Sequence, residues 1–418
     1  MTLTAPLPRR AGPHRAVGVT QNVWSGRIAG NAKPCPALSE ANVGITAPTH
    51  SGPLARNDQT MRYRPLGKTG YMVSALSFGC MRLHDNPELN EKLISRAADL
   101  GINYFETTRY YLGGTCQHRV APGLKGKAAG AIVSGKDGIN PDKSAYLFRK
   151  EMERQLDILG LDHFKFYQVG WFSWGAMPHL LKRGGVLDAL RKAQDEGLVK
   201  FIGFTGHDSA PNFIRCIETG LFDCITIPYN LIQRGYEPLI ARAGELGVGV
   251  VVMCPVGGGV LSSRSETLGK AVKMDLPTPA MALRFVLSNP NVSTACSGMN
   301  TLEMLEENVR TAKEFDPAAA NHAEMCAGLD KLREGLGQSF CTSCRYCAEC
   351  PAGLEIWRLM DIWQHWKVFG LEEWARDAIR QLPDEKRPAR CTACESCEEK
   401  CPNKLAVQER LKELGALV

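Results

Sequence analysis

From Met61 onward, short apolar or β-branched runs alternate with segments whose apolar residues recur every three to four positions. The first kind reads as buried strands and the second as amphipathic helices. The pattern predicts strands near Val73–Phe78, Ile102–Thr107, Ala131–Ser134 and Phe164–Val169. Four more are expected near Val199–Phe204, Cys224–Pro228, Gly249–Cys254 and Ser293–Ser297. Between them fall helices such as Tyr146–Leu159, where Leu147, Met152, Leu156 and Leu159 are expected to share one side. Gly185–Gly197 and Thr301–Phe315 show the same period. Eight strands, each followed by a helix, over roughly 250 residues fit an α/β fold, the closed (β/α)8 TIM barrel. A doubly wound sheet would want a G-x-G-x-x-G turn after its first strand. Gly79-Cys80-Met81 stands there instead, so the barrel is preferred.

The segments flanking the barrel differ from it. Residues 1–60 lack a periodic apolar pattern and are scattered with proline and glycine, the signature of a disordered extension or a misassigned start. Arg9-Arg10 lacks the apolar stretch of an export signal, and an arginine-rich start is also compatible with a transit peptide. The barrel is expected over 61–321, and a small, mostly helical domain over 322–418, entered through a link at 322–340. Trp357, Trp363, Trp366 and Trp374 lie at helical spacing within that domain and read as the packing of a thin core rather than an electron relay.

Two cysteine runs bracket those tryptophans. Cys341, Cys344, Cys347 and Cys350-Pro351 form one; Cys391, Cys394, Cys397 and Cys401-Pro402 form the other. Thiolates at i, i+3 and i+6 can hold three corners of an iron–sulfur cube, and a fourth before proline reaches the other cube in two-cluster ferredoxins. The second run has the C-x2-C-x2-C-x3-C-P spacing; the first is one residue shorter at its last gap. One [4Fe-4S] cluster is therefore assigned to Cys341, Cys344, Cys347 and Cys401, the other to Cys391, Cys394, Cys397 and Cys350. Zinc would favour separated C-x2-C pairs, and disulfides so close along the chain would be strained.

Composition narrows the partners. A hydrophobic content of 44% with 22% charged residues describes an ordinary globular chain. The longest apolar run, Gly247 to Leu261, is short and glycine-rich for a membrane span. Of the net charge of +6, +4 lies in residues 1–60, leaving the remainder at +2 with no case for nucleic acid. Exposed cluster thiolates suit a reducing, cytoplasmic compartment.

Several segments resemble the aldo/keto reductase family, in its branch with a C-terminal dicluster ferredoxin domain. They are Met61–Gly70, Phe78-Gly79-Cys80-Met81-Arg82-Leu83, Gly101–Thr107, Ile202–Asp208 and Glu306-Glu307-Asn308. The resemblance implies carbonyl reduction by a nicotinamide hydride, with a tetrad of Asp, Tyr, Lys and His. In such a set the tyrosine hydroxyl protonates the developing alkoxide, and a lysine ammonium lowers its pKa. A carboxylate holds the lysine, and the histidine supplies a second donor to the oxyanion.

Carried over residue by residue, the resemblance places Tyr111 five positions after Glu106, which stands for the aspartate, and Lys136 at the third strand's end. Gly170 occupies the histidine position, so ordinary carbonyl reduction is expected to be impaired. His207 is the leading substitute donor, with Arg109 and Trp171 behind it; Cys80 reads as an inert buried thiol. Asn230 resembles the amide that bonds the nicotinamide, Ser297 and Gly298 lie at the expected phosphate site, and Glu307 with Asn308 would bond the adenine. Ten and four positions before Asn308, where NADP-preferring members carry basic residues, stand Gly298 and Met304, leaving NADP against NAD open. The expected function is an oxidoreductase using NAD(P)H or cluster electrons on a small organic substrate, exchanging electrons with a redox protein. The rival is a non-catalytic electron-transfer or assembly protein with a retired barrel.

Overall fold

The computed structural model describes residues 60–139, 144–335, 341 and 344–418. What was expected of residues 1–59 lies outside these. The chain opens on a hairpin, β1 (Tyr63–Pro65) with β2 (Met72–Ser74), paired antiparallel. Eight parallel strands follow: β3 (Leu76–Gly79), β4 (Tyr104–Glu106), β5 (Ile132–Gly138), β6 (Phe164–Phe172), β7 (Val199–Gly206), β8 (Cys224–Pro228), β9 (Gly249–Met253) and β10 (Thr294–Ser297). They close in sequence order, β10 returning to β3 through Ala295↔Leu76 and Ser297↔Phe78. The TIM barrel expected from the apolar pattern is the fold observed.

The first expected strand, Val73–Phe78, is two strands. Val73 and Ser74 belong to the hairpin and Leu76–Phe78 to the barrel. Ala75 is the hand-over point: its N–H donates to Arg62 O (2.8 Å), while its carbonyl accepts from Ala295 N (2.8 Å). The hairpin packs against the barrel floor. At Gly67, φ is +54° and an added Cβ would lie 2.4 Å from Gly247 O, so only glycine fits. Leu66 and Val73 thereby join Tyr104, Ile132, Phe166 and Val251 in the lower core.

Strands β5 and β6 run four and three residues further than their apolar runs suggested. The positions added to β5 are polar or glycine, yet Lys136 and Asp137 are buried; those added to β6 are Gly170, Trp171 and Phe172. In the helix Ala145–Leu159, Ser144 caps the start by accepting from Leu147 N (3.2 Å), and Gly160 ends it at φ +63°. The buried stripe is Phe148, Met152, Leu156 and Leu159; Leu147 is exposed, contrary to expectation. At about 100° per residue, the five-residue step from 147 to 152 turns a side chain well off the stripe, whereas steps of four and three stay on it.

Residues 322–334, expected to be linking chain, form the helix His322–Glu334. It buries Met325 and Leu329 in the barrel's core, and Arg234 holds it through Asp330 Oδ1 (2.6 Å) and Cys326 O (3.1 Å). A second core is built from helices Ile356–Lys367, Glu372–Arg380 and Val407–Ala416, around Leu359, Trp363, Ile379, Leu411 and Leu414. Trp363 packs there and donates from Nε1 to Glu413 (2.9 Å); Trp366 and Trp374 flank the same core, while Trp357 lies under the Arg345 guanidinium. The bend between the first two helices carries Val368, Phe369 and Leu371 into the barrel core, where Ser265 Oγ donates to Phe369 O (2.5 Å).

This bend joins the two cores. Phe369→Ala should remove a fully packed ring and cost about 3–5 kcal/mol. Thermal unfolding of cluster-loaded protein reads this as a lowered or split transition; an unchanged melting profile would show that the bend does not hold the cores together.

Candidate active site and cluster cavities

The barrel's C-terminal mouth is organised by one buried ion pair. Glu106 ends β4, and Lys136 lies inside β5 rather than closing it. Lys136 Nζ donates to Glu106 Oε1 at 2.6 Å, with side chains only 3% and 5% exposed. The other carboxylate oxygen accepts from Gln168 Nε2 on β6 (3.2 Å) and Thr226 Oγ1 on β8 (3.1 Å). Gln168 is in turn tied to Ser134 Oγ (2.8 Å). The longer glutamate therefore reaches donors on three strands. Gln168 and Thr226 escaped the sequence reading; the signal for them was a polar residue at an inward position of otherwise apolar strands.

Tyr111 sits on a short 3₁₀ turn, Tyr111–Gly114, bent by Leu112 (φ +55°) and Gly113 (φ +64°). The turn brings its ring centroid 5.1 Å from Lys136 Nζ. Burial raises the Tyr111 pKa above its ordinary value, more than the Lys136 charge lowers it, and Glu106 adds to the rise. The expected net lowering by lysine is thus reversed. Burial also acts against the Lys136 charge, but Glu106 and Tyr111 outweigh it and hold the ammonium above the ordinary lysine range. At neutral pH Lys136 is a permanent cation and Tyr111 a neutral phenol.

At Gly170 there is no donor, but there is space. An added Cβ would meet the Asp137 backbone at 3.4 Å, ordinary contact. Among the candidate substitutes, Arg109 pairs with Glu151 (3.2 Å) and donates to Tyr110 (2.7 Å). Exposed Trp171, at φ +52°, meets the Tyr110 ring edge-on at 4.9 Å. Both are occupied at the rim. His207 follows β7 and stands exposed, yet enough protein surrounds its ring that desolvation, helped by the Lys136 charge, lowers its pKa. It is a neutral imidazole at neutral pH. Cys80 is fully buried, and burial first, then Cys116, pushes its thiol far above the ordinary range.

The nucleotide-site candidates flank the loops after β8, β9 and β10. Asn230 is buried: Oδ1 accepts from Ile232 N (3.1 Å) and Gln233 N (2.9 Å), and Nδ2 donates to Cys254 O (3.0 Å). One amide N–H remains by the donor count. Asn308 Nδ2 donates to Ser297 Oγ (3.3 Å), and Glu307 is exposed one position before it. After β9 come Gly257, Gly258 and Gly259, at φ +60°, +67° and +107°; the Gly257 and Gly259 N–H groups donate within the loop, to Cys254 O (2.9 Å) and Val256 O (3.0 Å). Arg82, also missed from sequence, lies across both loops. Its Nη2 donates to Gly258 O (3.3 Å), and its Cγ lies 2.9 Å from where a Gly298 Cβ would stand. Arg82 therefore lays its aliphatic stem against Gly298 and its guanidinium on the Gly258 carbonyl.

The eight C-terminal cysteines are free thiols that line two cavities. One is lined by Cys341, Cys344, Cys347, Cys397 and Cys401; the other by Cys347, Cys350, Cys391, Cys394 and Cys397. Each gathers thiols from both runs, and Cys347 and Cys397 line both. Thiols gathered in this way are a donor set suited to an iron–sulfur cube.

Residues 75–278 match the aldo/keto reductase family, and residues 340–406 match the 4Fe-4S dicluster domain. The chain is 26% identical to L-galactose dehydrogenase of Arabidopsis thaliana, over 60% of this chain and 88% of that protein. It is 23% identical to the NADH-specific methylglyoxal reductase of Escherichia coli, over 60% of this chain and 93% of that one. An aldo-keto reductase from Bacillus halodurans, in its holo form, shares the fold with a TM-score of 0.57 at 24% identity, covering 65% of this chain and 96% of its own. The chain is an oxidoreductase with an aldo/keto reductase domain followed by a C-terminal 4Fe-4S dicluster domain.

Proposed function

We propose that the barrel mouth binds a nicotinamide dinucleotide and a small organic carbonyl or alcohol, and that two [4Fe-4S] clusters exchange single electrons with a redox protein. One observation carries the barrel half: the buried Glu106–Lys136 pair pressed against the neutral Tyr111 hydroxyl. In reduction, Tyr111 gives its proton to the alkoxide as it forms, and Lys136 stabilises the phenolate left behind. Glu106 keeps Lys136 in place through its own anchors on β6 and β8. The nicotinamide, when bound, supplies the hydride. Asn230 would use its remaining N–H on the carboxamide, and the glycine loop with Ser297, Gly298 and Arg82 would cradle the diphosphate. Glu307 and Asn308 would face the adenine. The relatives' names, with a galactose and methylglyoxal as substrates, support a small oxygen-rich compound. NADH and NADPH both stay in play, since Arg82 is the one cation described over the phosphate loops.

Cys341, Cys344, Cys347 and Cys401 would hold one cluster, and Cys350, Cys391, Cys394 and Cys397 the other. A hydride carries two electrons and each cluster one, so the pair of clusters together matches one hydride. Such open thiolates suit a reducing, cytoplasmic setting. No helix among the described residues is long and apolar enough to cross a membrane. The empty donor position at Gly170 favours the alternative, a retired barrel beside an electron-transfer domain.

Titrating anaerobic, iron-loaded protein with NADH and NADPH separates the two. Quenching of protein fluorescence or bleaching of the cluster absorption supports the enzyme; neither response with either nucleotide sinks it. Tyr111→Phe should lower carbonyl turnover by at least about 10²-fold at unchanged iron content. Because the Tyr111 pKa lies above its ordinary value of 10.0, wild-type reduction should hold through neutral pH and decline only as alkaline pH removes the phenolic proton. A decline already present below pH 8 would assign the proton to another group. Gly170→His restores a donor worth on the order of 10²–10³ in rate. Steady-state assays with a simple aldehyde should show that gain; its absence would mean the mouth geometry no longer suits carbonyl chemistry.

A further inference from the structure

The two cluster cavities lie in order along one helix. Ile356, at its start, lines the cavity of Cys350, Cys391, Cys394 and Cys397. Trp357 and Met360 line the other cavity. One turn further, Gln364 grips Cys341 with both amide atoms, accepting from its N–H (2.5 Å) and donating to its carbonyl (3.2 Å). The chain then enters the barrel core at Val368 and Phe369. The cavity of Cys341, Cys344, Cys347 and Cys401 is thus the inner one, between the barrel and the outer cavity.

Their charges differ in sign. The inner wall carries Arg345 and no carboxylate, with the Arg345 guanidinium 4.5 Å over the Trp357 ring. Val407 also lines it, and one turn on from Val407 the buried Arg410 lies 4.0 Å over the Trp363 ring, close enough to Cys341 and Cys401 for their charges to act on it. The outer wall carries Glu349 and Glu395 against a single cation, Lys400, already 3.4 Å from Glu349. Reduction adds a negative charge to a cluster, so a nearby cation eases it and a carboxylate opposes it. Arg410 acts with little solvent screening, whereas the exposed outer carboxylates act more weakly.

We propose that the dicluster domain is an inward-directed conduit: the outer cluster has the lower reduction potential and the inner cluster, beside the barrel, the higher. One electron leaves the reduced outer cluster and reduces the oxidised inner one, with no bond broken and no proton moved. The outer cluster takes its electron from a reduced one-electron carrier protein. The proposal rests on the clusters carrying electrons, as put forward above.

A potentiometric titration of full-length, iron-loaded protein with dithionite and mediators, followed by paramagnetic resonance, tests it. Two midpoints are expected. Arg410→Gln should lower only the upper one, on the order of tenfold in the reduction equilibrium, about 59 mV for one electron. Arg410→Lys should leave it near wild type, and Glu395→Gln should raise only the lower midpoint, by less. Where Arg410→Gln does not hold its iron, Arg345→Gln on the exposed inner wall takes its place, again lowering only the upper midpoint. A single shared midpoint, or an arginine substitution that moves the lower one, overturns the ordering. Iron-loaded wild type with no reducible signal overturns instead the reading that the clusters carry electrons.

Discussion

A lysine and a glutamate buried inside the barrel set the terms for everything at its mouth. Removing two charges from water costs several kcal/mol per ion, and their mutual attraction offsets this only when geometry is good and the remaining lone pairs are satisfied. Glu106 meets that condition with donors from β5, β6 and β8, so the pair also fixes the relative positions of three strands. The same constraint makes Lys136 a permanent cation beside Tyr111. An aspartate would be one methylene short of that span, which gives the Glu106 departure a structural role.

The missing histidine has a different character. Gly170 lies where the pairing of β6 with β7 shifts register, and an added Cβ there would make ordinary contact with the Asp137 backbone. The mouth brings Glu106, Lys136 and Tyr111 together without a side-chain donor at Gly170. An oxidoreductase that no longer depends on a second oxyanion donor would retain this set; a barrel kept only for packing would have no need to bury a charged pair. Coupling to the dicluster domain is physical, since Val368, Phe369 and Leu371 belong to the barrel's core. That shared packing holds the small second core against the larger one.

Much of this was legible beforehand. The eight barrel strands stood out because parallel strands buried on both faces read as continuous apolar runs. The cysteine spacing stood out because ligand geometry constrains chain spacing directly. Other features were hidden for definable reasons. Ala75 changes partners in the middle of one apolar run, and no pattern of side chains marks a change of hydrogen-bond partner. Lys136 and Asp137 extend β5 although charged, because their burial depends on residues far away in sequence. Arg82 stood only within a motif after the first strand, and its contact with Gly298 exists only once β10 closes against β3.

By itself, then, the order of amino acids determined the barrel, the dicluster domain and the eight thiols, all of which depend on local periodicity or short spacing. Only the tertiary structure decided that burial outweighs lysine at the Tyr111 hydroxyl, that Gln168 and Thr226 complete the Glu106 shell, and that thiols from both cysteine runs line each cavity. Those outcomes depend on which charges and donors meet across elements dozens to hundreds of residues apart, and desolvation is a property of the closed fold, not of any segment of it.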